Sequence, residues 1–193
     1  MSKWYLMFGV LFALSPNCLF ADTCEPGVEL MGEFTITKPY EGLVDDYDDV
    51  GAKDRDTVVL PKGKYFISSI LTLTKKRKTK CEYAATNLEI KALKGSYKWK
   101  SDKTYKSRVE LSASGEWQRF YLNRFYPSLK KKITGESGEE ISRTYDGNRP
   151  LYLGTSYSKM DDTNAIFTGS VAYFDFGDGH EFFGKTRISL SVD

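Results

Sequence analysis

Apolar and polar residues alternate along most of this chain. Lys64–Thr74 (KYFISSILTLT) puts Tyr65, Ile67, Leu71 and Leu73 on one parity and Thr72 and Thr74 on the other. Glu33–Thr37, Leu88–Leu93, Tyr97–Lys100, Arg108–Ser114, Ala165–Phe176 and Lys185–Val192 repeat the two-residue period. Short runs of that period mark half-buried strands of antiparallel sheets, each turning one face to a core. Turn residues fall between them at Pro61-Lys62-Gly63, Lys94-Gly95, Asp146-Gly147-Asn148 and Gly177-Asp178-Gly179. Gly135–Glu140 (GESGEE) reads as a polar hairpin tip. About eight short strands at this spacing predict an all-β, mainly antiparallel fold, a β-sandwich or barrel-like structure. One segment differs: Glu116–Tyr126 (EWQRFYLNRFY) has Trp117, Phe120, Tyr121 and Arg124 at helical spacing, with Pro127 beyond. It predicts one short helix near 116–126, with an aromatic-rich strand as the alternative.

The first residues follow another pattern. Met1–Lys3 is a short basic start, Trp4–Leu14 (WYLMFGVLFAL) is an apolar run of 11 residues, and Ser15-Pro16-Asn17 breaks it. Ala21 then offers a small residue at a cleavage point. The run is about half the length of a bilayer-spanning helix and suits a secretory signal. Residues 1–21 are therefore expected to be a signal peptide and residues 22–193 one β-rich domain, secreted, periplasmic or at the cell surface. Pro16-Asn17 ahead of Cys18 is a poor match to a lipoprotein site. No second apolar run of spanning length occurs, so no transmembrane segment is expected in the mature chain.

Cleavage there leaves Cys24 and Cys81, 57 positions apart. Two cysteines in an oxidising compartment most simply form one disulfide. A closure of that length contributes roughly 3–4.5 kcal/mol in the chain-entropy picture. None of Asn17, Asn87, Asn123, Asn148 and Asn164 has a Ser or Thr two places on, which removes N-glycosylation from the argument.

Composition excludes classes more than it selects one. With 40% apolar and 28% charged residues, 16 Gly and 6 Pro, the chain is neither collagen-like nor disordered. The net charge of +2 conceals a strong asymmetry. Residues 22–56 hold 3 basic and 11 acidic side chains, 57–132 hold 19 and 5, and 133–193 hold 5 and 10. A basic middle between acidic flanks marks an anionic partner, or strands of opposite charge lying side by side. The basic candidates are Lys75, Lys76, Arg77, Lys78 and Lys80 in one run, joined by Lys98, Lys100, Lys103, Lys106 and Arg108. Clustered lysine and arginine raise the local potential and attract phosphate-bearing or sulfated partners. The bland reading of the run is a charged hairpin end. In Tyr97-Lys98-Trp99-Lys100 the lysines alternate with the aromatics and face away from them, so no base-stacking platform forms and nucleic acid is disfavoured.

Other chemistry finds little material. Asp45–Asp56 supplies six aspartates and a glycine, but starting from Asp46 the fifth and twelfth positions of a calcium loop fall on Val50 and Thr57. It reads as a solvated loop, and no metal or other cofactor is expected. His180 is the only histidine, which excludes two-histidine sites. No Gly-x-Ser-x-Gly elbow or phosphate-binding glycine loop occurs, and no catalytic residue is assigned.

Phe174-Asp175-Phe176-Gly177-Asp178-Gly179 resembles the aromatic-Asp-Phe-Gly-Asp-Gly turn of polycystic-kidney-disease-type β-sandwich modules, and Ile188–Val192 is similar to their last strand. The resemblance implies a β-sandwich and brings no functional residue with it. The sequence thus points to an exported, non-catalytic binding protein for an anionic glycan, lipid or acidic protein. The alternatives are a structural or adhesive subunit of a surface assembly, with self-association, and a hydrolase of unidentified type.

Overall fold

The alternation is realised as thirteen strands and no helix among the described residues of a computed structural model, which are 24–43, 56–135, 137–161, 164–175 and 179–191. The strands are β1 (Gly27–Ile36), β2 (Tyr40–Leu43), β3 (Asp56–Leu60), β4 (Gly63–Arg77), β5 (Lys80–Ala92), β6 (Lys98–Ser101) and β7 (Tyr105–Leu111). They continue with β8 (Trp117–Phe125), β9 (Ser128–Thr134), β10 (Glu140–Gly147), β11 (Leu151–Asp161), β12 (Asn164–Asp175) and β13 (Gly179–Ser191).

Eight strands close an antiparallel barrel in the order β1, β4, β5, β7, β8, β11, β12, β13, with β13 returning to β1. Chain order is kept around the ring, so this is an up-and-down barrel with insertions. The barrel-like form of the expected all-β class is the one present, and the sandwich implied by the 174–192 resemblance is replaced by closure. At one end, three of the connections carry extra strands. The β1–β4 connection holds β2 and β3, and the β8–β11 connection holds β9 and β10. These two hairpins pair through β2 and β10 into a four-stranded sheet, order β3-β2-β10-β9, beside that end. In the third connection β6 pairs with the second half of β5, while β7 pairs with its first half. The opposite end carries the β4–β5 turn and the Cys24–Cys81 disulfide.

The barrel interior is filled by the inward parity of every strand, as expected for a ring of eight strands. Leu30 lies between Ser69 of β4 and Leu190 of β13, and Phe34 between Tyr65 and Thr186. The Phe34 and Tyr65 rings stack with centroids 5.4 Å apart. Nearer the disulfide end, Phe167 meets Trp117 at 6.2 Å and Phe120 at 6.3 Å. One apolar cluster joins this interior to Tyr40, Val59, Leu60, Ile133 and Tyr145 of the smaller sheet. Each fully buried large apolar side chain contributes about 1.5–3 kcal/mol.

The segment 116–126 is a strand, β8, not a helix. Its buried residues are Trp117, Phe120, Leu122 and Phe125, because register shifts interrupt the period twice. Leu111 and Glu110 face Trp117 and Arg119, which leaves Gln118 over. Leu153 and Leu151 face Leu122 and Phe125, and Arg124 in that interval has φ 49°. Each extra residue turns a step of two into a step of three and so imitates a helical spacing. The predicted signal segment 1–21 and residues 45–55 of the acidic stretch lie outside the described residues. No helix among the described residues is long and apolar enough to cross a membrane.

Candidate anion-binding surface

The ten basic residues singled out in the sequence fall along the two flanks of β5. Lys75–Lys80 forms the tip of the β4–β5 hairpin, which turns at Lys78-Thr79. Arg108 lies opposite Glu82 of β5, and Lys106 opposite Ala84. Lys100 lies opposite Glu89, and Lys98 opposite Lys91. Lys103 sits in the β6–β7 connection. From Lys80 to Lys91 the strand advances about 35 Å at its usual rise. The set is therefore a stripe along one side of the barrel and not a compact cluster.

Strand geometry also brings carboxylates to this stripe. Glu82 binds Arg77 at 2.8 Å and Lys80 at 3.0 Å, Glu89 binds Lys98 at 3.0 Å, and Glu110 binds Arg108 at 3.2 Å. The Lys80 ammonium, aided by Arg77, holds the Glu82 carboxyl below its usual range; Lys98 and then Lys91 do the same for Glu89. The Arg108 guanidinium also lies 4.3 Å over the Tyr121 ring. Exposed pairs of this kind are screened by solvent and salt and contribute little to stability. Glu82, Glu89 and Glu110 all belong to the basic segment 57–132 itself. No carboxylate from either acidic flank pairs with a stripe residue among the described residues, and Lys75, Lys76, Lys78, Lys100, Lys103 and Lys106 have no carboxylate partner there.

The stripe ends at a groove that the sequence reading missed. Between the barrel rim and the four-stranded sheet lies an open groove of about 480 Å³, lined by Lys62, Lys64, Lys94, Lys98 and Lys130. These lysines come from the β3–β4 turn, β4, the β5–β6 turn, β6 and β9. Only Lys98 is paired with a carboxylate among the described residues. Among the described residues, no acidic side chain and no arginine lines the groove. Its walls are tied together by polar contacts: the Tyr97 hydroxyl donates to the Ser128 carbonyl at 3.0 Å, the Tyr65 hydroxyl to the Pro61 carbonyl at 2.7 Å, and the Leu93 amide to the Lys64 carbonyl at 2.9 Å. The Tyr65 and Tyr97 rings meet edge-on at 5.9 Å. Burial pushes the Tyr65 hydroxyl up to about 12 and raises that of Tyr97 further, so both remain neutral donors at physiological pH. Of the missed lysines, Lys62, Lys64 and Lys94 stand singly beside turn residues, and Lys130 opens the run Lys130–Lys132, whose place beside the others is set only by folding.

The smaller sheet is held in place by Tyr40. Its ring packs edge-on to Phe183 at 6.0 Å, and its hydroxyl donates to the Arg149 carbonyl. The ring lies over Gly147, where a Cβ would come within 1.8 Å of the Tyr40 hydroxyl oxygen. Tyr40 of β2 thus touches both β10, at Gly147, and the barrel, at Phe183 of β13, and so ties β10 and its neighbour β9 with Lys130 to the barrel. His180 lies near the start of β13, with its backbone opposite Phe174. Comparison with protein-family models, with curated proteins and with solved structures gives no significant match in any of the three.

Proposed function

We propose that this chain is an exported, non-catalytic β-barrel binding protein that holds a linear anionic glycan along β5. The observation that carries this reading is the placement of charge. The ten basic residues form an outward stripe, and among the described residues the carboxylates paired with them, Glu82, Glu89 and Glu110, come from the same basic segment. The residual positive charge faces solvent on one side of a rigid scaffold. Eight of the ten stripe residues are lysines, flexible point charges suited to a polymer of spaced anionic groups more than to one planar carboxylate. The run of about 35 Å fits an extended chain. Export is supported by the Cys24–Cys81 disulfide and by the anatomy of residues 1–21.

Chromatography on immobilised heparin tests the reading. The mature protein is expected to be retained at low ionic strength and released as salt shortens the screening length to about 10 Å and below. Replacing Lys76, Arg77 and Lys78 by Ala is expected to bring elution to lower salt. Absence of low-salt retention, or elution unchanged by the triple replacement, overturns the reading; retention only on anionic lipid vesicles or on an acidic protein replaces the glycan by that partner. The assembly reading has less support, since closure leaves β3, β6 and β9 as the free edges, and β9 carries exposed Lys130, Lys131 and Lys132.

A further inference from the structure

We propose that the groove lined by Lys62, Lys64, Lys94, Lys98 and Lys130 is a discrete subsite for a single sulfate or phosphate group borne on a sugar ring. The inference rests on the glycan reading above and gives the stripe an end point. Five ammonium-bearing side chains from five separate segments surround one concavity, and four of them have no carboxylate partner among the described residues. Such convergence from distant parts of the chain is not the pattern of a solvated face, where opposite charges interleave. Among the described residues, arginine, whose planar fork matches a carboxylate, does not line the groove; lysines act as movable point charges on a compact tetrahedral oxyanion. The volume of about 480 Å³ lies within the usual range for small-ligand pockets. Val58, Leu129 and Tyr97 add apolar surface beside the lysines, suited to the C–H face of a sugar. The hydrogen bonds that tie the walls limit the reorganisation needed on binding.

The groove and the stripe make separable predictions. Titration calorimetry of the full chain with a sulfated heparin-type disaccharide, too short to span the stripe, is expected to show one site. In the double variant Lys64→Ala/Lys130→Ala the affinity is expected to fall about tenfold, which is about 1.4 kcal/mol. The hairpin variant Lys76→Ala/Lys78→Ala is expected to keep the disaccharide affinity within about twofold, because exposed charges beyond a screening length act weakly. Both double variants replace exposed side chains, and matching melting curves establish that they fold. A third variant, Lys94→Ala, alters a turn lysine on the opposite wall and is expected to weaken the disaccharide too. The inference is overturned if the disaccharide does not bind while the heparin matrix still retains the protein, or if the hairpin variant weakens it as much as the groove variant. Loss of heparin retention by the unmodified protein overturns the glycan reading itself. Inorganic phosphate and anionic phospholipid vesicles serve as comparison probes; binding of either in place of the disaccharide overturns the sugar-borne assignment.

Discussion

Gly147→Ala probes the seat of the Tyr40 ring, whose contact with Phe183 sets the smaller sheet against the barrel, and with it the wall that carries Lys130. An alanine Cβ at this position would lie 1.8 Å from the Tyr40 hydroxyl oxygen, 2.4 Å from Cζ and 2.5 Å from Cε1. Carbon atoms in contact are ordinarily about 3.5–4.0 Å apart, so the ring must move by more than an ångström. Tyr40 is 1% exposed and held by Phe183 and by the Arg149 carbonyl, so a shift of the ring into the small pocket of about 110 Å³ beside it disturbs both contacts. Overpacking of this kind costs about 1–3 kcal/mol. If the hydroxyl is driven off its acceptor, leaving a buried polar group unpaired adds about 1–3 kcal/mol. A central value of about 3 kcal/mol lowers the melting temperature of a chain this size by about 6–12 °C. Thermal unfolding followed by circular dichroism reads the change, and a double-mutant cycle isolates its cause. Leucine at position 40 lacks the three clashing atoms, so Gly147→Ala made in a Tyr40→Leu background should cost less than about 0.5 kcal/mol. Equal losses in both backgrounds would refute the packing argument and place the effect in the backbone of β10.

Two other outcomes follow from chemistry elsewhere in the fold. Cys24→Ser/Cys81→Ser, or reduction of the bond, is expected to lower stability by about 2–5 kcal/mol in denaturant titrations, since the bond closes a loop of 57 residues; an unchanged midpoint would contradict this. Tyr40, Tyr65, Tyr83 and Tyr97 all have hydroxyl pKa values raised by burial, that of Tyr65 to about 12. Their folded pKa values lie above the unfolded value near 10, so their contribution is complete below pH 10. It is lost as pH climbs through 12, by about 1.4 kcal/mol per pH unit for each group. Tyrosinate absorbance should therefore appear in an early phase from exposed tyrosines and a late phase that coincides with unfolding. A single phase near pH 10 in the folded protein would contradict the burial of these rings.

Strands were legible in the sequence where no bulge disturbs the period. Lys64–Leu73 lies within β4, ahead of the irregularity at Thr74, and Lys98-Trp99-Lys100 lies within β6, both with the parity they show in isolation. The same alternation serves a sandwich and a closed barrel, so closure could not be read from it: it depends on β13 reaching β1 across the whole chain. β8 was misread because its bulges produce a helical spacing. β2 and β3 are four and five residues long and flank the acidic stretch, too short to show a period. β9 presents Lys130, Lys131 and Lys132 in succession, an edge-strand feature that hides its apolar parity. The charge asymmetry and the Lys75–Lys80 hairpin tip were visible as composition, whereas the pairing was visible only in part: Lys80–Glu82 and Arg108–Glu110 stand two places apart on one strand, but Arg77 meets Glu82 and Lys98 meets Glu89 only through register. The groove lysines span positions 62 to 130 and meet only in the folded chain.

The central claim is that one side of the barrel, from the β4–β5 hairpin to the groove, receives an anionic chain. Backbone amide shifts of the labelled mature protein, recorded during titration with a sulfated heparin oligosaccharide, test it most directly. The account predicts perturbations along β5, β6, β7 and the hairpin tip, ending at Lys62–Lys64, Lys94 and Lys130, and fading with added salt. Perturbations centred instead on the outer face of β4, β1, β13 and β12, around Phe66, Met31 and Ile166, or none at any concentration, would contradict it.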